Sequence, residues 1–200
     1  GETAAGRGHP TAGRALGGRG VVKIRTHARG KGVKPPGCAA LILDRTGHAD
    51  RIAGVRKAGG SVALISDGDV AAVIHTADPM TTGIDIYLGV GGAPEGVLAA
   101  AALRCIGGQM QCRLILDTDE KRERALKMGI TDPKMIYGIE DMARGDCLFA
   151  ATGVTDGSLL KGVKFRGNVI ETETIVMRSV TGTVRIIKGE HRQLEKFHLD

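Results

Sequence analysis

Aromatic side chains make up 2% of this 200-residue chain, and tryptophan is missing altogether. Nucleic-acid single strands are gripped by stacking their bases on such rings, so that function is disfavoured. The four cysteines, Cys38, Cys105, Cys112 and Cys147, form neither a CxxC pair nor the Cys/His spacing of a metal site. They read as reduced thiols of a cytoplasmic protein, some of them in its core. No apolar run reaches the length of a membrane span, and the basic N-terminus lacks the apolar stretch of a secretory signal. HExxH, HxxxH, GxSxG and GxxxxGK[ST] are all missing. GVGG at 89–92 does not extend to GxGxxG, because residue 94 is proline.

What the chain does have is a one-sided charge distribution. The formal net charge is +6. Residues 1–34 carry eight Lys or Arg against one acid, Glu2, and the remaining residues are close to neutral. This Gly/Arg-rich stretch has no strand or helix periodicity apart from VVKI, so it reads as a disordered basic segment. A solvated tail explains it better than an arm on nucleic acid, since a basic run without aromatics is weak evidence for binding. The domain proper is expected over 35–200.

From Pro35 onward apolar runs alternate with helical patterns. CAALILD (38–44), SVALIS (61–66), IDIYLGV (84–90) and QCRLIL (111–116) read as strands. Residues 48–58, 70–77, 94–106 and 119–129 read as helices. That alternation predicts an α/β fold with a mostly parallel sheet. DCLFAATGV (146–154) is a further strand. NVIETETIVMRSV and TGTVRIIKGEH read as a long antiparallel hairpin turning at Thr181-Gly182.

Three strand ends carry polar groups: Asp44-Arg45, Asp67-Gly68-Asp69 and Gly89-Val-Gly-Gly-Ala-Pro-Glu-Gly96. In open α/β sheets ligands bind at the carboxyl ends of strands, so these three converge if their strands are neighbours. Asp67 and Asp69 also suit a turn and a helix cap. Pro94 and Glu95 suit a first helical turn, where a carboxylate favours the helix dipole. Four glycines in eight residues suggest close approach of something to the backbone. A phosphate there is repelled by Glu95 unless a cation lies between them, and Mg²⁺ or Mn²⁺ prefers such oxygen ligands.

The string DIYLGVGGAPEGVLAAAALRCIGGQMQ, with ISDGDVAAVI before it and FAATGVTDGSLLKGV and VMRSVTGTVR after it, resembles class II fructose-1,6-bisphosphatase of the GlpX type. The resemblance runs from about Lys31 to about His191. It implies a layered α-β-α-β-α sugar-phosphatase fold, represented here in part, in a cytoplasmic and oligomeric enzyme. The implied reaction is hydrolysis of the 1-phosphate of fructose 1,6-bisphosphate with Mn²⁺ or Mg²⁺, and in the photosynthetic branch also of sedoheptulose 1,7-bisphosphate. By position, the resemblance makes Glu95 a metal ligand and Arg45, Asp67, Gly68, Asp69 and Gly92 substrate-binding residues. Two departures stand out. Gly47 replaces the second basic residue of the family's [KR]-P-R-H stretch, removing a charge-assisted contact worth roughly 1.5–3 kcal/mol. The acidic DP[ILM]DGTT type of motif, which supplies further metal ligands, does not occur, so the resemblance covers the C-terminal part of the family. An inactive fragment, or a sugar-phosphate-binding subunit that lacks the full metal site, is the alternative reading.

Overall fold

The computed structural model describes residues 2–7, 25, 28–29, 32–193 and 195. It forms two sheets with helices between them and on one outer face. The first sheet has five strands in the order β3-β2-β4-β1-β5. They are β1 (Glu2–Arg7), β2 (Ala39–Leu43), β3 (Ser61–Ile65), β4 (Ile86–Val90) and β5 (Gly108–Arg113). β2 runs parallel to β3 and β4, and β1 lies antiparallel between β4 and β5. The helices are α1 (Ala49–Lys57), α2 (Asp69–His75), α3 (Pro79–Thr82), α4 (Ala93–Ile106), α5 (Asp119–Lys127) and α6 (Ile139–Met142).

Strand alternation divides the core between two faces. Ala4, Ala40, Ile42, Ile86 and Leu88 point one way and bury Val55 of α1. Their neighbours Ala5, Leu41 and Tyr87 point the other way, onto Ala72 and Val73 of α2 and Ala99, Ala100 and Leu103 of α4. The far side of those two helices meets the second sheet, where Ile74, Ala102 and Cys105 pack with Phe149, Ile175 and Met177. The layers are therefore α1, first sheet, α2/α4, second sheet. The second sheet is antiparallel and built on β8 (Val169–Arg178). One edge of β8 pairs with β9 (Thr183–His191), the other with β6 (Leu148–Thr152) and then β7 (Lys164–Arg166).

The mostly parallel sheet, the four helices and the antiparallel hairpin follow the sequence expectation. Two readings need correction. Residues 2–7, expected within a disordered segment, form a strand paired on both sides, with Glu2, Thr3, Ala4 and Ala5 buried. Two backbone ladders and two small alanines, one packed into each face, supply what the composition hides. Most of the remainder of 1–34 lies outside the described residues. β5 starts and ends three residues earlier than the 111–116 expectation, because Met110 and Cys112 fill the core while Ile115 runs on into solvent.

Candidate active site

β2 and β4 are adjacent and parallel, yet the helices that follow them, α1 and α4, pack on opposite faces of the sheet. That is the arrangement in which a crevice opens at the carboxyl ends of strands. The β2–β4 pairing comprises Ala40↔Ile86 and Leu41↔Tyr87. Beyond it, the buried imidazole of His48 spans the two strands. His48 Nδ1 lies 2.8 Å from the Leu43 carbonyl, and the Val90 N–H donates to Nε2 at 3.2 Å. A carbonyl facing one ring nitrogen and an N–H facing the other fix the neutral tautomer with its proton on Nδ1.

Of the sequence-predicted residues, Asp69, Gly92 and Glu95 share one cleft on the α2/α4 side, and Arg45 pairs with Asp67. Arg45 follows β2 and stands 3.9 Å from Asp67, both of them exposed. Gly68 takes φ 95°, a left-handed conformation that suits glycine, and turns the chain from β3 into α2. Asp69 opens that helix. Gly68 holds the cap position and Asp69 is the first helical residue, so the cap reading of Asp69 does not hold. Its Oδ1 instead accepts a hydrogen bond from the buried hydroxyl of Tyr87. Burial first, and the Asp69 carboxylate second, push the Tyr87 phenol well above its ordinary value. Glu95 stands in the first turn of α4, exposed to solvent. Thr3, Asp69, Tyr87, Gly91, Gly92 and Glu95 line one narrow cleft.

The glycines of GVGG have an internal reason to be there. A Cβ on Gly89 would collide with the Tyr87 hydroxyl, one on Gly92 with the Glu95 carboxylate, and one on Gly91 would stand 2.7 Å from Asp69 Oδ2. The backbone is bared so that three polar side chains can lie against it. Sequence reasoning anticipated a close approach to this loop but not that the chain's own carboxylates make it. It also passed over Tyr87 and His48. The shared parity of Tyr87 and Gly89 on one strand was the available signal for the first.

A divalent cation needs several oxygen ligands. Among the described residues no three His, Cys, Asp or Glu side chains converge. Glu95 and Asp69 supply acidic oxygens at the right edge of the sheet, but the described residues do not by themselves enclose a metal ion.

An open, mostly parallel sheet with acidic and glycine-rich turns at its carboxyl edge, backed by an antiparallel sheet, is consistent with an α/β fold of phosphatase-like architecture. The chain belongs to the glpX-encoded bacterial fructose-1,6-bisphosphatase family, whose model matches residues 20–191. It is 43% identical over 164 residues to the "D-fructose 1,6-bisphosphatase class 2/sedoheptulose 1,7-bisphosphatase" of Synechococcus sp. (strain JA-3-3Ab), covering 76% of this chain and 47% of that protein. The identically named protein of Microcystis aeruginosa (strain NIES-843 / IAM M-2473) is 42% identical over the same shares. The chain thus spans about half the length of the curated relatives it matches. No helix among the described residues is long and apolar enough to cross a membrane.

Proposed function

We propose that this chain carries the sugar-phosphate-binding side of a class II fructose-1,6-bisphosphatase, which hydrolyses the 1-phosphate of fructose 1,6-bisphosphate and also accepts sedoheptulose 1,7-bisphosphate. The observation that carries the reading is that Asp69, Gly92 and Glu95 line one cleft, with Arg45 paired to Asp67 at the ends of neighbouring strands, in a family-matched fold. In this reading the Arg45 guanidinium offers charge-assisted donors to a phosphate, and the Asp67 and Asp69 carboxylates accept from sugar hydroxyls. Gly68 lets the ligand lie close to the backbone, and Gly92 offers its backbone to the ligand beside the Glu95 carboxylate that lies against it.

Manganese or magnesium is the proposed cofactor, with Glu95 as one ligand. Such an ion stabilises charge on a transferring phosphoryl group. Because the described residues do not complete its coordination shell, the remaining ligands come from beyond them. We further propose a cytoplasmic homo-oligomer that uses neither membrane nor nucleic acid. Four free cysteines support the compartment. The half-exposed Val184 and Ile186 of β9 support self-association.

Phosphate release from fructose 1,6-bisphosphate with Mn²⁺, compared between the chain and Glu95→Ala, tests the proposal. Release that depends on Glu95 supports it, and release unaffected by the substitution refutes the role of Glu95. A second reading, a sugar-phosphate-binding subunit without turnover, is favoured by the incomplete donor set. It predicts binding of fructose 6-phosphate with no release in either protein.

A further inference from the structure

On the α1 side of the same sheet edge lies a cluster outside the cleft described above. Register puts Glu2 of β1 level with Val90 of β4 and Arg113 of β5, at the carboxyl ends of both. Alternation sends Thr3 toward the acidic cleft and Glu2 toward α1. The Glu2 side chain is 8% exposed, and each of its oxygens meets a different arginine. Arg51 Nη2 donates to Oε1 at 3.4 Å. Arg113 Nε donates to Oε2 at 2.8 Å, with Nη2 at 2.5 Å from the same oxygen. Arg51 is steadied from behind by Nη1 donating to the Gly47 carbonyl at 3.3 Å.

A carboxylate carries one negative charge and each guanidinium one positive charge. Here two guanidinium groups, with five N–H donors apiece, flank a single carboxylate, and the Arg113 side chain is 43% exposed. The two arginines lie inside the family-matched span 20–191, whereas the strand that brings the carboxylate lies outside it.

We propose that Arg51 and Arg113 form a phosphate-binding site on the α1 side of the sheet edge, in which the Glu2 carboxylate is the resident surrogate anion. The ligand class is inorganic phosphate or a phosphate monoester, whose several oxygens and double charge match two forked donors better than one carboxylate does. A tethered carboxylate competes at high effective concentration, so the unaltered chain binds phosphate weakly. The site goes beyond the proposed hydrolysis, because neither arginine lines the acidic cleft.

Titration with inorganic phosphate, in a chelator and at constant ionic strength, tests the site without any metal or turnover. The probe is the Nε–H resonances of the arginines in the whole chain and in Glu2→Ala, Glu2→Gln and Glu2→Ala/Arg113→Ala. The expected result is at least tenfold tighter phosphate binding in Glu2→Ala or Glu2→Gln than in the unaltered chain, lost again in the double variant. Folded Glu2 variants that bind phosphate no tighter, or tighter binding that survives Arg113→Ala, would overturn the proposal. Should both Glu2 variants fail to fold in phosphate-free buffer, millimolar phosphate or formate must restore them. Failure of both anions to do so equally overturns the site.

Discussion

The two faces of one sheet edge carry acids in opposite circumstances. On the α1 face Glu2 is buried and held by two guanidinium groups. On the α2/α4 face Asp69 and Glu95 have a phenol and a helix start for company. Arg45 leans toward Asp67 from 3.9 Å. A one-residue step along β1 separates the two environments, since Glu2 faces one and Thr3 the other. The lesson is that an acid at a strand end does not by itself mean a cation site. An acid already neutralised by arginine serves packing and anion exchange. Acids left without a matched cation, beside backbone kept bare by glycine, are the ones we propose for a metal and a sugar phosphate.

The largest expected effect tests whether the bared loop is as tightly filled as the structure has it. Gly89→Ala drives a methyl into the Tyr87 hydroxyl and should cost about 3 kcal/mol in urea unfolding, within the range for overpacking. Next comes the contrast between the two acids. Glu2→Ala should cost about 2 kcal/mol, a value reduced from the usual loss for a buried pair because its arginines are partly exposed. Glu95→Ala, on an exposed first turn, should change stability by less than about 0.5 kcal/mol. Equal losses at the two positions would erase the distinction.

Tyr87→Phe should cost about 1.5 kcal/mol, the scale of a hydrogen bond to a charged group. It also carries a pH signature. The folded state keeps the Tyr87 proton that the unfolded state releases near its ordinary value of about 10, so stability falls as pH rises above that point. The Phe variant should lack that component of the alkaline decline. An identical alkaline profile in both proteins would contradict the buried pairing with Asp69.

Much of the fold was legible because the strands of the parallel sheet are short apolar runs punctuated by Gly and Asp, as in CAALILD and IDIYLGV. The meeting of Asp69, Gly92 and Glu95 in one cleft was legible too, since each follows a strand and strand ends share an edge. The strand Glu2–Arg7 was not. ETAAGR has no hydrophobic alternation, and its strand character comes from two partners more than 75 positions away, as the pairs Glu2↔Val90 and Glu2↔Arg113 record. His48 was obscured for the same reason, because its bridge from nearby Leu43 ends on the backbone of Val90, 42 positions away. The lone acid in a basic stretch, Glu2, was the signal that the segment has a fixed place.

The central claim is that Glu95 joins a divalent cation to a sugar phosphate at this crevice. Calorimetric titration of fructose 1,6-bisphosphate, with and without Mn²⁺, into the chain and into Glu95→Ala tests it most directly. The account predicts that Mn²⁺ strengthens binding to the unaltered chain at least tenfold and leaves binding to Glu95→Ala unchanged. The same strengthening in both proteins, or none in the unaltered chain, would contradict it.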